Sequence, residues 1–569
     1  GFGHQVFNVL TTGDGNTGVG ADVLSALTTG DNNVGVGLDV LKALTTGSNN
    51  TAVGYLALSA EDTRSDSTAV GYRALTAQNA DTANAYNVAI GTDAALSLTT
   101  GNRNVYVGAL SGDANVSGDG NTALGHNTLS TNTHSENNVA VGYEALKTFN
   151  VGSGSGYNTA VGSVAGTALT TGVQNTLIGG IAGDSLIDAD YNVALGTGTL
   201  ATDTYGNKST AIGTNALANQ NFTSSTDSNN TAVGYNCMVN NQTGASNTAV
   251  GAGALDANLT GNSNVAVGTD ALTANTSGAG NIGIGVGALR VNTTGAEITA
   301  VGDGSMALNT SGATNTAFGA QTLAACTTGG NNVGIGAYAL NDNTTGFTNT
   351  ACGAVALDKC TEGAGNSAVG NGAGDSVTTG SNNSFLGKDT GYNLTTGSAN
   401  VYVGYNNTGS AVDVSNEILI ATNGEGGGTN TARFQTTGGS ATLGLDGSDT
   451  SWAAASDSRL KKDVATSAVG LDFIKDLRPI TFKWNAKNAI ANNLPQYDAN
   501  SSDPVHGSGK TQHGFLAQEV KTAIDEHSGL KDGFTMWRED PDGTQQVAPT
   551  ALVPMLVKAV QELSAKVEE

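Results

Sequence analysis

The sequence predicts a mainly β protein: a parallel β-solenoid of 17-residue rungs, followed by a small α+β domain that ends in a helix. Three observations carry this. The phrase "NTAVGYLAL" at residues 50–58 returns as "STAVGYRAL" at 67–75, "NVAVGYEAL" at 138–146 and "NTAVGAGAL" at 247–255. Its glycine keeps time, recurring at 24 positions from Gly3 to Gly404, and 20 of the 23 intervals are 17 residues long. The texture then changes: all six prolines and all three tryptophans lie at or after Trp452.

A strict period of this length is the mark of stacked rungs, none of which can bury its apolar side alone. Four residues before the timing glycine stands Asn in 20 of 23 rungs, the exceptions being Ser67, Ser209 and Ile298. The residue three before is mostly Thr or Val, and the one just before is Val, Ile, Leu, Phe or Cys. These two share one side of a strand, and that apolar side is the expected interior. A second short apolar run such as "LAL" and a turn-forming "TTG" complete the rung. The glycine is expected in a left-handed turn conformation, and the asparagines in a hydrogen-bonded ladder. With about 4.8 Å per rung, residues 1–404 make a shaft of about 110 Å. A proline-free shaft keeps every backbone donor for the stack.

Three longer rungs interrupt the period, with "TAQNADTANAY" after Gly71, "KTFNVGSGSGY" after Gly142 and "NQNFTSSTDS" after Gly213, evenly spaced by 71 residues. Loops on a rigid scaffold are where specificity usually resides. Tyr recurs just after the timing glycine at Tyr55, Tyr72, Tyr143, Tyr235 and Tyr405, as packing, as a subunit contact or as sugar-stacking rings. Residues 405–455 read as a β-rich neck of short strands and glycine-rich turns. Residues 456–569 read as a mixed domain, closing on a helical stripe of Leu552, Leu556, Val560, Leu563 and Val567 that needs a partner.

The formal charge of −25 is unevenly placed, net −22 in residues 1–455 and −3 in residues 456–569. So acidic a shaft argues against nucleic acid and anionic membranes as partners. No apolar run is long enough to insert in a membrane. Gly1 is not an initiator Met and the chain opens inside a repeat, so a segment upstream is expected. The four cysteines read as buried free thiols: Cys352 sits in the apolar slot before a timing glycine, and Cys326 and Cys360 share a phase two rungs apart, about 10 Å, too far for a disulfide. The six histidines show no metal-ligand spacing, His513 reads as structural, and no glycine-rich nucleotide loop is present. Neither a metal nor a cofactor is expected.

Four blocks in the last 114 residues resemble, in order, the C-terminal intramolecular chaperone domain of phage tail fibres, tailspikes and endosialidases. They are "SDSRLKKDV" at 456–464, "GLDFIKDLRPITFKW" at 470–484, "HGFLAQEV" at 513–520 and "ALVPMLVKAVQEL" at 551–563. The repeats resemble the β-roll of trimeric autotransporter adhesin heads. These resemblances imply a homotrimer, held in register by the chaperone domain until the shaft has formed. The domain would then cut itself off by serine attack on the peptide bond before it. The dyad falls on Ser456 and Lys461, with cleavage between Ala455 and Ser456. Ser458 is the competing nucleophile, lacking the family spacing to Lys461. A lysine acts as base only when neutral, which Arg459 and Lys462 would favour.

The resulting expectation is a phage tail fibre made in the host cytoplasm and carried on the virion, adhesive to a host-surface glycan or lipopolysaccharide and joined to other tail or baseplate proteins. Its one catalytic act would be a single-turnover autoproteolysis. Two alternatives stand beside it: a tailspike depolymerase of surface polysaccharide, and a bacterial trimeric adhesin. Against the first, the rungs are nearly uniform; against the second, the chain ends in a helix and not in a membrane-anchoring barrel.

Overall fold

The computed structural model describes residues 1–569 except 80–83, 438, 446–452, 455–461, 493, 495, 507–508, 531–533, 541–542 and 569. It contains two compact units, Gly1–Ala455 and Ser456–Glu569.

The first unit is the expected parallel solenoid. In a representative rung, Val265–Val267 pairs in parallel with Thr248–Val250 before it and Ile282–Ile284 after it, each step 17 residues in register. Among the described residues this sheet holds 27 strands. Gly268 ends the strand, and Asp270 and Leu272 follow with φ of 55°, turning the chain back so that Leu272 enters the interior opposite Ala266.

The interior is the other side of the strand from the one expected. Ala266 is fully buried, whereas Val265 and Val267 face outward, and the same inversion holds rung after rung. The cause is the thinness of the rung, where a three-residue strand faces a turn wall with room for little more than Ala against Leu. The few large residues at the alanine position confirm this. Beside Tyr106 the usual Leu is replaced by Gly112, where a Cβ would lie 2.2 Å from the ring. Phe385 has Gly374 and Gly391, where a Cβ would lie 2.7 and 2.3 Å away. Inner volume is conserved by trading across the rung.

The timing glycine has positive φ, but at 132° in Gly268 it lies beyond the left-handed helical region near 57°. A Cβ there would also stand 2.5 Å from the carbonyl oxygen of Gly285 on the next rung. Glycine is required twice over.

The asparagine ladder forms as expected. Asn264 Nδ2 donates to Gly278 O at 2.9 Å, and its Oδ1 accepts the Asn281 backbone N–H at 3.0 Å. A second inner ladder links Asn241, Asn258, Asn275, Asn292 and Asn309, each Nδ2 donating to the preceding Oδ1 at 2.7–3.0 Å. The serines that interrupt the first ladder are explained by the longer rungs. Gln78 Nε2 donates to Glu61 Oε2 at 2.9 Å and to Ser67 Oγ at 3.0 Å, while its Oε1 accepts from Asn87 at 2.8 Å. Gln220 repeats the arrangement with Asp203, Ser209 and Asn230 at 2.6, 2.9 and 2.8 Å. All these side chains are buried, so each is a fully partnered polar key. Burial pushes both carboxyls above their ordinary range.

Past Gly404 the stack continues into the expected neck. Glu417–Thr422 pairs in parallel with Val401–Tyr405, with Ala421 opposite Gly404, and Thr431–Thr436 pairs in parallel with it in turn. Glu417 takes the asparagine's place: its N–H donates to Asn400 Oδ1 at 2.9 Å, and its carboxylate accepts from Tyr402 Oη and the Gly428 N–H, both at 2.7 Å. Gly439–Gly444 then turns antiparallel, and Ala453–Ala454 pairs with it.

Cys237, Cys326 and Cys360 are buried and free, and burial pushes their thiols up to about 12, 11 and 11. Cys352 is exposed, because its slot lies on the outward side of the strand.

The second unit is α+β, as expected. It comprises α1 (Leu471–Asp476), an antiparallel pair Ile480–Phe482 with Gln512–Gly514, α2 (Ala517–Glu526), a hairpin of Trp537–Glu539 with Gln545–Val547, and α3 (Val553–Glu568). Phe473, Val520, Ile524, Met536 and Leu552 form its core.

Candidate functional site

Ser456, Lys461, the competing Ser458, and Ala455 on the other side of the expected scissile bond all lie outside the described residues. Nearest before them, Ala454 and Ala453 pair antiparallel with Ala441 and Thr442. After them, Lys462 is exposed and the chain reaches α1 at Leu471.

Around α1 the second unit is tied together by polar contacts. His527 Nε2 lies 2.7 Å from Asp476 Oδ2, and the His527 ring stands edge-on to Phe473 at 5.4 Å. Arg478 grips the Glu519 carboxylate with both Nε and Nη2, joining the end of α1 to α2. The Leu471 N–H donates to Glu562 Oε2 at 2.8 Å, which with Lys558 holds that carboxyl below its ordinary range. His513 is exposed on the strand opposite Thr481.

Two apolar surfaces are left uncovered on the single chain. On the solenoid, the outward residues three and one before each timing glycine form parallel columns. None of the 46 residues in these columns from Thr17 to Val403, two in each of 23 rungs, is charged. The inner-edge column stays open along its length, from Val267 at 36% to Phe318 at 57% exposure. On α3, Leu552 and Ala559 are buried, while Val553, Leu556, Val560, Leu563 and Val567 are exposed on a three-four repeat. Of the stripe read from sequence, only Leu552 finds its partner within the chain. Monomeric proteins seldom expose continuous apolar surface on this scale.

Among the described residues no group of three His, Cys, Asp or Glu side chains could hold a metal ion, and no helix is long and apolar enough to cross a membrane.

Residues 456–529 match the family described as chaperone of endosialidase. No curated protein and no solved structure matches the chain. The match begins at Ser456, the first residue of the second compact unit. A chaperone segment of this family behind a long solenoid of 17-residue rungs defines a protein of the tail-fibre or tailspike type.

Proposed function

We propose that the chain is an adhesive phage tail fibre, three copies of which assemble along the outward face of the solenoid under the direction of the C-terminal domain. The observation that carries this is the pair of uncharged outer columns. On a chain of net charge −25, a continuous neutral stripe the length of the shaft is the complement of itself, since every rung presents the same face as its neighbours. Copies of one chain cover such a face without any other partner. The chaperone supplies what the repeat lacks. Slipping two repetitive strands by one rung changes almost nothing locally, so register must be fixed from outside the repeat.

Within this reading Ser456 attacks the carbonyl of Ala455, Lys461 takes the hydroxyl proton, and the shaft is released once. Attachment to other tail proteins and to a host-surface glycan belongs to the same proposal. Ser456→Ala tests the cleavage. The parent is expected to yield a C-terminal fragment starting at Ser456 on a denaturing gel and the variant to remain full length; identical bands would remove the dyad.

A further inference from the structure

The position five before the timing glycine sits at a corner of the rung with left-handed backbone. Over most of the shaft it holds residues suited to that corner or small ones, such as Asn32, Asn49, Ser246, Gly280 and Asn382. Between the first and third longer rungs it does not. There it carries Tyr86, then Tyr157, Gln174, Tyr191 and Lys208 on four successive rungs. The three tyrosines have φ of 52°, 49° and 61°, a conformation that a bulky aromatic residue rarely adopts. They are 54%, 58% and 50% exposed, so neither ring burial nor backbone preference accounts for them. Strain kept without a packing return points to use.

A second feature marks the same stretch. The inserted segments end at this corner, immediately before Tyr86 and Tyr157 and beside Asn229. The second and third are ordered against the rung below: Gly154–Ser155 pairs with Ser135–Glu136, and Thr226–Asp227 with Gly206–Asn207. Lys208 reaches Asp227 at 2.5 Å, tying the column to the third insertion.

We infer that Tyr157, Gln174, Tyr191 and Lys208 form a binding track for a linear, neutral polysaccharide lying along the shaft. The inference rests on the adhesive reading and names its ligand class. Rings two rungs apart, about 10 Å, suit alternate sugars of an extended chain. The C–H face of a pyranose packs on the electron-rich face of an aromatic ring, and Gln174 between the rings offers an amide to sugar hydroxyls. An acidic shaft disfavours anionic chains, which sets the neutral class apart.

The test uses the complete protein on an array of bacterial surface polysaccharides, with neutral and acidic capsules and lipopolysaccharide O-chains in separate arms. The parent is expected to bind neutral chains, and Tyr157→Asn with Tyr191→Asn to lose at least about tenfold. Because Asn suits this corner, the variants should melt no lower than the parent and sediment identically. Undiminished binding by the variants would overturn the track while leaving the adhesive reading intact. Variants that dissociate would assign the rings to a subunit contact instead. A parent that binds no polysaccharide in any arm would overturn the adhesive reading and the track with it; one that binds only acidic chains would overturn the track alone.

Discussion

At the scale of single residues, the side-to-side trade inside the rung makes a sharp prediction. Tyr106→Ala should open a cavity and cost about 3–5 kcal/mol, and Gly112→Leu alone should clash with the ring. Together they restore the Ala and Leu of an ordinary rung, so chemical denaturation of the double variant should recover most of the loss. Simple addition of the two losses would contradict the volume argument. Cys352 reports on the outer face. Cys237, Cys326 and Cys360 are buried with thiols well above neutral pH, so a maleimide should find only Cys352, and only in unassembled chains. A Cys352 that reacts freely in the assembled protein would show that face to be open there. Sequence made the rung length and the ladder asparagines legible, because both recur at fixed phase. It misassigned the inside. Alternation marks two faces of a strand, and the more apolar one is the natural choice for the core. Here the core is too thin for paired β-branched residues, and the more apolar face is left for another chain.

Among the elements, the longer rungs carry the buried keys. Gln220→Ala should strand Asp203, Ser209 and Asn230 without their partner and cost about 1–3 kcal/mol. Leu at an ordinary rung's equivalent, such as Leu98, needs no such partner. The keys also set a pH dependence. Burial raises the carboxyls of Glu61 and Asp203 above the ordinary range, and those of Asp113, Asp184, Asp256 and Asp358 in the same direction. The folded state then binds more protons than the unfolded state between the ordinary and the raised values, so stability falls as pH rises through that window and is fullest below it. The shaft should melt higher at mildly acidic than at neutral pH, with a smaller difference in Asp203→Asn; a shaft that weakens on mild acidification would contradict it. The keys were invisible in the sequence except as two serines out of pattern, since their partners come from different rungs. In α3, Leu563→Asp should spare the core packed on Leu552 but impair assembly, measurable as a shift to lower mass in sedimentation. The stripe alternates Val and Leu at heptad positions, which by itself leans toward two strands. The number three must therefore come from the shaft and the rest of the chaperone domain.

At the scale of the whole molecule, the division of labour is between a repeat that is stable once stacked and a domain that stacks it correctly. Exposed edges of a repetitive strand pair indiscriminately before assembly. A gene truncated after Ala455 should therefore give mostly insoluble product, whereas shaft freed from complete protein should stay assembled on mild heating, protected by the barrier to peeling several chains at once. Correctly assembled shaft from the truncated gene would transfer the C-terminal domain from folding to some permanent role. The dyad was legible only through four ordered blocks of resemblance, because Ser and Lys five residues apart are commonplace in surface turns. The claim on which the rest depends is the number of chains. Light scattering of the Ser456→Ala protein, which avoids release of the C-terminal domain, should give a particle of three 56.5 kDa chains; a particle of one chain in native buffer would contradict it.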